Sequence, residues 1–282
     1  MNRVIINADD FGIHEEVNAA VIHAHKQGVL TSTSLLAAGP AFDEAVALAG
    51  QCPGLGIGIH LCLVGSLPTV LPPEQAATLV DADGLLPESY VGFIKKAYAG
   101  QIDYNEVYDE LDSQIRKILA TGLPITHIDS HQHLHVLPPI WKIVQALMKQ
   151  HGLHRLRTPR ESYTFKMLQA APVRAMGRNG LTYLSQKAAK DARRLHFTTT
   201  DYFWGMVDGG HMNEANLAYI LKGLPFGVHE IMMHPGRDSE ILGQCFSWGY
   251  HWHDEYAALL SERIRQLAAE RNIEFINYGD LP

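Results

Sequence analysis

The chain has 282 residues, 46% hydrophobic and 19% charged, which is the balance of an ordinary globular protein. Its formal net charge of −7 argues against a nucleic-acid-binding protein, and its longest apolar runs are shorter than the ~20 residues that cross a bilayer. Three scattered cysteines are too few for a disulfide framework, and the N-terminus has no signal-peptide pattern, so we expect a cytoplasmic protein.

Short apolar runs alternate with helix-period patterns along most of the chain. Strands are predicted at residues 4–7, 32–37, 56–61, 125–129, 154–157, 230–233 and 274–277. Helices are predicted at residues 15–27, 42–51, 105–120, 139–150 and 255–270, with a long loop rich in Pro and Gly at residues 63–87. This alternation is typical of an α/β fold with parallel strands and outer helices, in a barrel or a doubly wound sheet.

Polar side chains follow several of these predicted strands. The residues at or just after strand ends are Asp9, Asp10, His60, Asp129, His131, Arg157 and His234. In a parallel barrel all such strand ends lie at one mouth, where active sites are built. The placement therefore predicts carboxylates, imidazoles and a guanidinium around one opening.

The adjacent acids Asp9 and Asp10 end the first apolar run and precede Phe-Gly. A pair of this kind is commonly a helix N-cap or a turn, because Asp accepts backbone N–H bonds there. The strand before the pair favours a different interpretation. One Asp would bind a divalent metal while the other acts as a general base.

Residues 127–135 hold four histidines and Asp129. A polar loop with surface imidazoles would explain such a segment, but its density favours one or two metal ligands, with the remaining side chains, His133 among them, orienting these. His60 alone would more often be a hydrogen-bonded core histidine. Its neighbours Gly56 and Gly58 permit the close approach of a backbone or a ligand.

His234 follows an apolar strand and precedes a proline. It is either a turn histidine or a general acid, since imidazole titrates near neutral pH. Arg157 could hold a carboxylate in a bidentate fork, or form a weak surface salt bridge.

Aromatic and further histidine residues lie late in the chain. His251 and His253 flank Trp252 and are interpreted as polar surface. Trp252, Tyr250 and Trp204 could form an apolar platform against a sugar ring, although core packing is the favoured interpretation for each.

A basic segment covers residues 155–194, with ten of the chain's 23 Lys and Arg residues, opposed by Glu161 and Asp191. The favoured interpretation is a solvated helical face on an excursion around residues 160–198 of a single domain that spans residues 1–282. The alternative is contact with an anionic membrane surface or a phosphorylated ligand.

Four motifs, at residues 7–12, 58–60, 126–135 and 233–235, resemble those of the YdjC-like carbohydrate deacetylases, which include chito-oligosaccharide and hopanoid-associated (HpnK) enzymes. The resemblance covers nearly the whole chain, and residues 38–41, 80–84 and 224–231 look closer to the hopanoid-associated branch. It implies a distorted (β/α) barrel of mainly parallel strands that binds one divalent cation, Mg or Zn being favoured. The implied metal ligands are Asp10, His60 and His131, the base is Asp9 and the acid is His234. Asp129, His133 and Arg157 are expected to support the ligands or to contact substrate, and Gln132 stands where relatives often carry a histidine.

The resemblance implies hydrolytic N-deacetylation of an N-acetylated amino sugar, either chito-oligosaccharide-like or an N-acetylglucosaminyl hopanoid, with release of acetate. Two alternatives stay open: a non-haem iron enzyme with a two-His-one-carboxylate site, and a non-catalytic, metal-bearing sugar-binding protein. A small or lipid-linked sugar is the expected partner, nucleic acid is not, and peripheral membrane contact and a homo-oligomeric state stay open.

Overall fold

The computed structural model describes residues 1–161 and 172–282. Its strands are β1 Asn2–Phe11, β2 Ser32–Leu35, β3 Gly56–Leu61, β4 Ile125–Ser130, β5 Tyr202–Trp204, β6 Val228–Met233 and β7 Ile273–Phe275. Its α-helices are α1 Glu15–Gln27, α2 Phe42–Ala49, α3 Tyr90–Tyr98, α4 Tyr104–Leu119, α5 Pro138–Gln150, α6 Pro172–Arg194, α7 Glu214–Lys222, α8 Ser239–Cys245, α9 Trp252–Leu260 and α10 Glu262–Glu270.

The strands form one parallel sheet in the order β4-β3-β2-β1-β6-β5, and β7 pairs with the start of β1. Every strand pair is parallel. The carboxyl ends of the strands therefore lie on the same side of the sheet. The predicted α/β fold of parallel strands with outer helices is confirmed.

Isolated bridges continue the sheet beyond its two outer strands. Leu156 pairs with Ile128 of β4, and Glu161 pairs with Phe203 of β5. The segment that holds Arg157 therefore lies between the two outer strands, β4 and β5. This arrangement is the distorted barrel that the family resemblance implies.

The strand positions follow from burial on both faces. Val4, Ile5 and Ile6 of β1 are fully buried, and all six residues of β3 are buried. Strands covered on both faces are near-continuous apolar runs. The outer helices are amphipathic: α4 buries Val107, Leu111 and other residues at helical spacing while its opposite face stays in solvent.

Several predicted boundaries differ from those in the structure. Residues 154–157 form isolated bridges and not a strand. The predicted helix at residues 255–270 is two helices, because Ser261 has extended backbone angles and its side chain caps α10. The first strand runs on to Phe11, so that both acids lie inside it. Helices α3, α7 and α8 and strand β5 had no prediction.

The predicted basic excursion is helical where it is described, as α6. Residues 162–171 lie outside the described residues. Lys187, Lys190, Arg193 and Arg194 are exposed on α6, and the Arg194 guanidinium is 3.1 Å from Asp191. Among the described residues, no helix combines the length and the apolar character that crossing a membrane requires.

Candidate metal centre

A β-bulge at the end of β1 sets the directions of Asp9 and Asp10. Ala8 pairs with Thr33 and Phe11 with Leu35, so three steps along β1 face two along β2. Asp10 has a φ of 66°, in the left-handed region that Asp tolerates better than most residues. A bulge redirects side chains locally and is common beside active sites. Both acids are therefore buried at the mouth of the sheet without sharing the alternation of a regular strand.

Two imidazoles converge on the carboxylate of Asp10. Its Oδ1 lies 2.9 Å from Nδ1 of His131 and 3.4 Å from Nε2 of His60. His60 comes from the end of β3, and His131 directly follows β4. One donor atom from each of the three buried side chains lies within 4.8 Å of the others. These are the three residues that the family resemblance implies as metal ligands.

The polar atoms of this cluster suit a cation. Nε2 of His60 and Nε2 of His131 are buried and have no hydrogen-bond partner among the described residues. On its other side His60 donates from Nδ1 to Oδ1 of Asp129 at 2.7 Å. Metal-binding histidines characteristically give their second ring N–H to a carboxylate, which fixes the tautomer and the ring orientation. Two imidazoles and one carboxylate form a set that binds Zn and related divalent ions.

The charges within the cluster are strongly coupled. Burial would raise the pKa of Asp10, but the imidazoles of His131 and His60 outweigh it and hold that pKa well below its usual range. Burial would lower the pKa of His60, but Asp129 and Asp10 outweigh it and raise the pKa to about 10. A positive charge is therefore favoured among these residues, which is the condition that a bound cation would satisfy.

Asp9 lies in a buried ion-pair network centred on Arg157. The guanidinium is fully buried, and its Nη1 and Nη2 donate to the two oxygens of Asp9 at 2.6 Å each. Nη1 is also 2.9 Å from Asp129, and Nε donates to Glu230 at 2.7 Å. The sequence predicts two possible roles for Arg157, a bidentate fork on a carboxylate or a weak surface salt bridge. The structure has the bidentate fork, and the prediction of a surface salt bridge is wrong.

A second group of possible ligands consists of Asp9, His60 and Asp129. Both of its carboxylates already accept hydrogen bonds from Arg157 or lie in contact with its guanidinium. A guanidinium beside the site opposes a cation, so the group around Asp10 is the stronger candidate.

His234 lines the same pocket as the paired acids. The pocket is lined by Asp9, Asp10, Ile13, Val17, His234, Pro235, Phe246, Trp248 and Trp252. Behind His234, the buried Glu255 of α9 accepts a hydrogen bond from its backbone N–H, and a carboxylate oxygen lies 3.8 Å from its Nδ1. Burial raises the pKa of Glu255, while His234 partly offsets that effect. Glu255 could not be predicted from the sequence. Nothing near it in α9 distinguishes it from an ordinary acidic residue of a helix.

The remaining histidines of the cluster lie outside the group around Asp10. His127 stacks on Tyr278 with ring centroids 4.0 Å apart, and burial lowers its pKa to about 3. His133 packs edge-on against Phe203, 5.5 Å between centroids, and its Nδ1 has no hydrogen-bond partner among the described residues. Gln132 and His133 have φ of 51° and 59°, which ends the strand geometry and separates the side chains.

Gly58 permits close approach of a side chain and not of a backbone or ligand. A Cβ at this position would lie 2.3 Å from Cε1 of His127. The imidazole of β4 therefore occupies the space beside β3 that any larger residue would need.

Of the three aromatic residues considered from sequence, Trp252 lines the pocket and Tyr250 is half-buried. Trp252 and Trp204 are 3% and 5% exposed, so core packing is confirmed for both. Trp248 and Phe246, which sequence analysis did not single out, are half-buried and line the pocket. His251 and His253 are exposed, as predicted.

Comparison with known proteins gives three similarities of high coverage. The family model described as "YdjC-like protein" matches residues 3–270. Proteins named "Carbohydrate deacetylase" from Clostridium beijerinckii and Thermoanaerobacter pseudethanolicus are each 30% identical, the alignments covering 99% and 100% of this chain and 100% of each relative. A crystal structure of a proposed cellobiose-phosphate cleavage protein from Enterococcus faecalis has a TM-score of 0.79 at 28% identity, covering 98% of this chain and 97% of that chain.

Proposed function

The chain belongs to the YdjC-like family, and from that premise we propose that it is a metal-dependent deacetylase of N-acetylated amino sugars. The reaction is hydrolysis: water adds to the amide carbonyl carbon, the C–N bond breaks, and acetate and a free amino sugar leave. The named relatives support the carbohydrate and the deacetylation. The residues around Asp10 support the metal.

The observation that carries the proposal is the position of His60 between two carboxylates. One ring nitrogen donates to Asp129, and the other faces Asp10 with no hydrogen-bond partner among the described residues. Most buried polar side-chain atoms have a hydrogen-bond partner, so an unpartnered buried Nε2 beside a carboxylate needs an explanation. A ring held on one side and open beside a carboxylate on the other has the arrangement of a metal ligand.

Asp10, His60 and His131 would hold the cation. When bound, a divalent ion polarises the amide carbonyl and lowers the pKa of a water molecule toward ~7. The two imidazoles must be neutral to act as ligands. Metal binding is therefore coupled to the release of any proton that they carry.

Asp9 is proposed as the general base. The fork from Arg157 holds both of its carboxylate oxygens and fixes its direction. Its Oδ1 also accepts from Asn7, whereas within the described residues Oδ2 accepts from Arg157 alone. A carboxylate oxygen has two acceptor positions, so Oδ2 can still take the proton that the attacking water loses.

His234 is proposed as the general acid. It lines the same pocket as Asp9 and Asp10, and Glu255 lies behind it. The leaving amine is a poor leaving group unless its nitrogen receives a proton, which His234 can supply.

The finer identity of the substrate is also part of the proposal. Free chito-oligosaccharides and an N-acetylglucosaminyl hopanoid share the acetamido sugar on which the proposed residues act. The motifs at residues 38–41, 80–84 and 224–231 favour the hopanoid-linked form. Peripheral membrane contact through the exposed Lys and Arg side chains of α6 would bring the enzyme to that substrate. This contact stays a prediction, as do the cytoplasmic location and the oligomeric state.

Mass spectrometry of acetylated sugars and glycolipids after incubation with the enzyme tests the proposal. We expect loss of one acetyl mass with stoichiometric acetate, loss of activity on chelation, and recovery on adding Mg, Mn or Zn. Acetate release under anaerobic conditions would exclude the non-haem iron oxygenase. Binding of acetylated sugar without turnover, across all added metals, would contradict the proposal and favour a sugar-binding protein.

A further inference from the structure

A continuous row of aromatic rings crosses the mouth of the candidate site. Phe246 stacks on Trp248 with centroids 4.8 Å apart, and Trp248 contacts Tyr250 at 5.5 Å. The middle ring, Trp248, lies 5.1 Å from the ring of His131, a candidate ligand. Tyr250 lies 4.6 Å from the ring of His234, the proposed acid.

The pocket has an inner and an outer apolar wall. The inner wall consists of Ile13, Val17 and Trp252, which are 2%, 2% and 3% exposed and belong to the core. The outer wall consists of Phe246 and Trp248, which are half-buried. Of these two walls, as the described residues form them, the outer one has surface left for a ligand larger than the reacting group.

We propose that Phe246, Trp248 and Tyr250 form an aromatic platform that binds the pyranose ring of the substrate. The inference rests on the proposed function and names the residues that select a sugar. In an acetamido sugar the reacting carbonyl carbon is two bonds from the ring carbon that carries the nitrogen. A ring this close to Asp9 and Asp10 must contact the wall beside them. One face of a pyranose presents C–H groups, and ligand sites commonly place an apolar aromatic surface against such a face, with a few polar groups at its edge.

A set of hydrogen bonds holds the platform in place. Ser247 Oγ donates to Oε1 of Glu88 at 3.0 Å, joining the platform to a loop 159 residues earlier. That loop is tied to the residue after His131, since Tyr90 N donates to Oε1 of Gln132 at 2.8 Å. The position of the platform is therefore set relative to His131, and Glu88, which is exposed, supplies a polar edge.

Isothermal titration of the metal-loaded protein with N-acetylglucosamine disaccharide tests the platform. We expect Trp248→Ala to raise Kd and KM about tenfold with kcat within about twofold of wild type, since an aromatic contact of this kind is worth roughly that factor. Trp248→Phe should retain most of the affinity, and Ser247→Ala should weaken binding about threefold through loss of one hydrogen bond. Tyr98→Ala is the matched control, because Tyr98 is 91% exposed on α3.

The outcomes separate the platform from the reaction. Unchanged Kd and KM in Trp248→Ala would overturn the platform and leave the deacetylase proposal intact. Failure of the wild-type protein to bind the disaccharide at all would also overturn it. Sugar binding that depends on Trp248, without acetate release by the wild-type protein, would support the platform and overturn the proposed reaction. Unchanged circular dichroism in Trp248→Phe guards against a folding defect.

Discussion

At the residue scale, the different environments of Asp9 and Asp10 come from one left-handed residue. Because Asp10 has a positive φ, its carboxylate meets His60 and His131, while that of Asp9 meets Arg157. The first environment favours positive charge, which a bound cation would supply. The second is already neutralised by a guanidinium. Two acids next to each other in sequence can therefore take different parts in one reaction.

Replacing Asp9 with Asn should separate catalysis from metal binding. Asp9→Asn removes the proposed base, so we expect acetate release to fall by about 10²-fold or more, with metal content unchanged by elemental analysis. Asp43→Asn, on the exposed face of α2, is the control. Retained activity in Asp9→Asn would show that another group accepts the proton.

Replacing the partner of His60 should weaken the metal site without removing a ligand. Asp129→Asn abolishes the charge that orients His60, so we expect metal affinity to fall by about 10- to 100-fold in a competitive titration. His60→Ala and His131→Ala should lose the metal altogether. Asp112→Asn, which contacts His151 and Arg116 away from the site, is the control. Wild-type affinity in Asp129→Asn would argue against His60 as a ligand.

At the element scale, the spacing between β3 and β4 depends on a missing side chain. Gly58 leaves room for the imidazole of His127 on the neighbouring strand, which in turn stacks on Tyr278 near the C-terminus. The same pair of strands supplies His60 and Asp129, whose backbones are paired in register. Packing at Gly58 therefore affects the distance on which the metal site depends.

Gly58→Ala should be costly because its Cβ would overlap the His127 ring. We expect the free energy of unfolding in urea to fall by about 1–3 kcal/mol or more, as for overpacked cores. Gly50→Ala is the control, since its φ of −58° is helical and the nearest atoms to a Cβ there are 3.6 Å away. Equal stability of the two variants would show that the His127 ring moves aside at no cost.

At the scale of the whole molecule, the buried guanidinium of Arg157 joins strands that are distant in the sequence. Arg157 contacts Asp9 of β1, Asp129 of β4 and Glu230 of β6. Tyr278, near the C-terminus, donates from its hydroxyl to Glu230. Burial raises the pKa of Glu230 to about 7, although Arg157 opposes that effect. The network joins both ends of the chain to the floor of the proposed site.

Arg157→Met should destabilise the protein because it leaves three carboxylates in the interior without their positively charged partner. Removing one partner of a buried ion pair costs roughly 3–5 kcal/mol, measurable by urea denaturation at pH 7. Arg116→Met is the control, since that side chain is 68% exposed in its pair with Asp112 and should change stability by less than about 1 kcal/mol. Similar losses in both variants would contradict a central role for Arg157.

His127 should make the protein less stable in acid. Burial lowers the pKa of His127 in the folded state to about 3, well below the usual 6.5. Between these two pH values the unfolded chain binds a proton at this imidazole and the folded chain does not. Stability is therefore lost as pH falls from about 6.5. His127→Phe keeps a ring against Tyr278 but cannot titrate. Urea denaturation at pH 7 and pH 5 should show a smaller loss in this variant, by up to about 1.4 kcal/mol per pH unit.

The comparison with the variant isolates His127 from the other buried groups. Glu230, with its raised pKa, acts in the opposite direction below pH 7, and its contribution is common to both proteins. Identical pH slopes for wild type and His127→Phe would show that the imidazole takes up its proton in the folded state.

The parallel α/β class, the residue types at the strand ends and the family motifs could all be predicted from the amino-acid sequence. These are local: periodicity along a few residues reports which faces are buried, and motif spacing is read directly. Asp10, His60 and His131 could be singled out in this way.

Which of these groups touch could not be predicted from the sequence, because it depends on how distant segments pack. Arg157 and Asp9 are 148 residues apart and meet through the order of parallel strands. Glu255 behind His234, and Trp248 beside His131, come from α9 and from the loop before it. Neither has a local signal, because a helical acid and a loop tryptophan are recognised as part of a site only by the side chains that packing brings beside them.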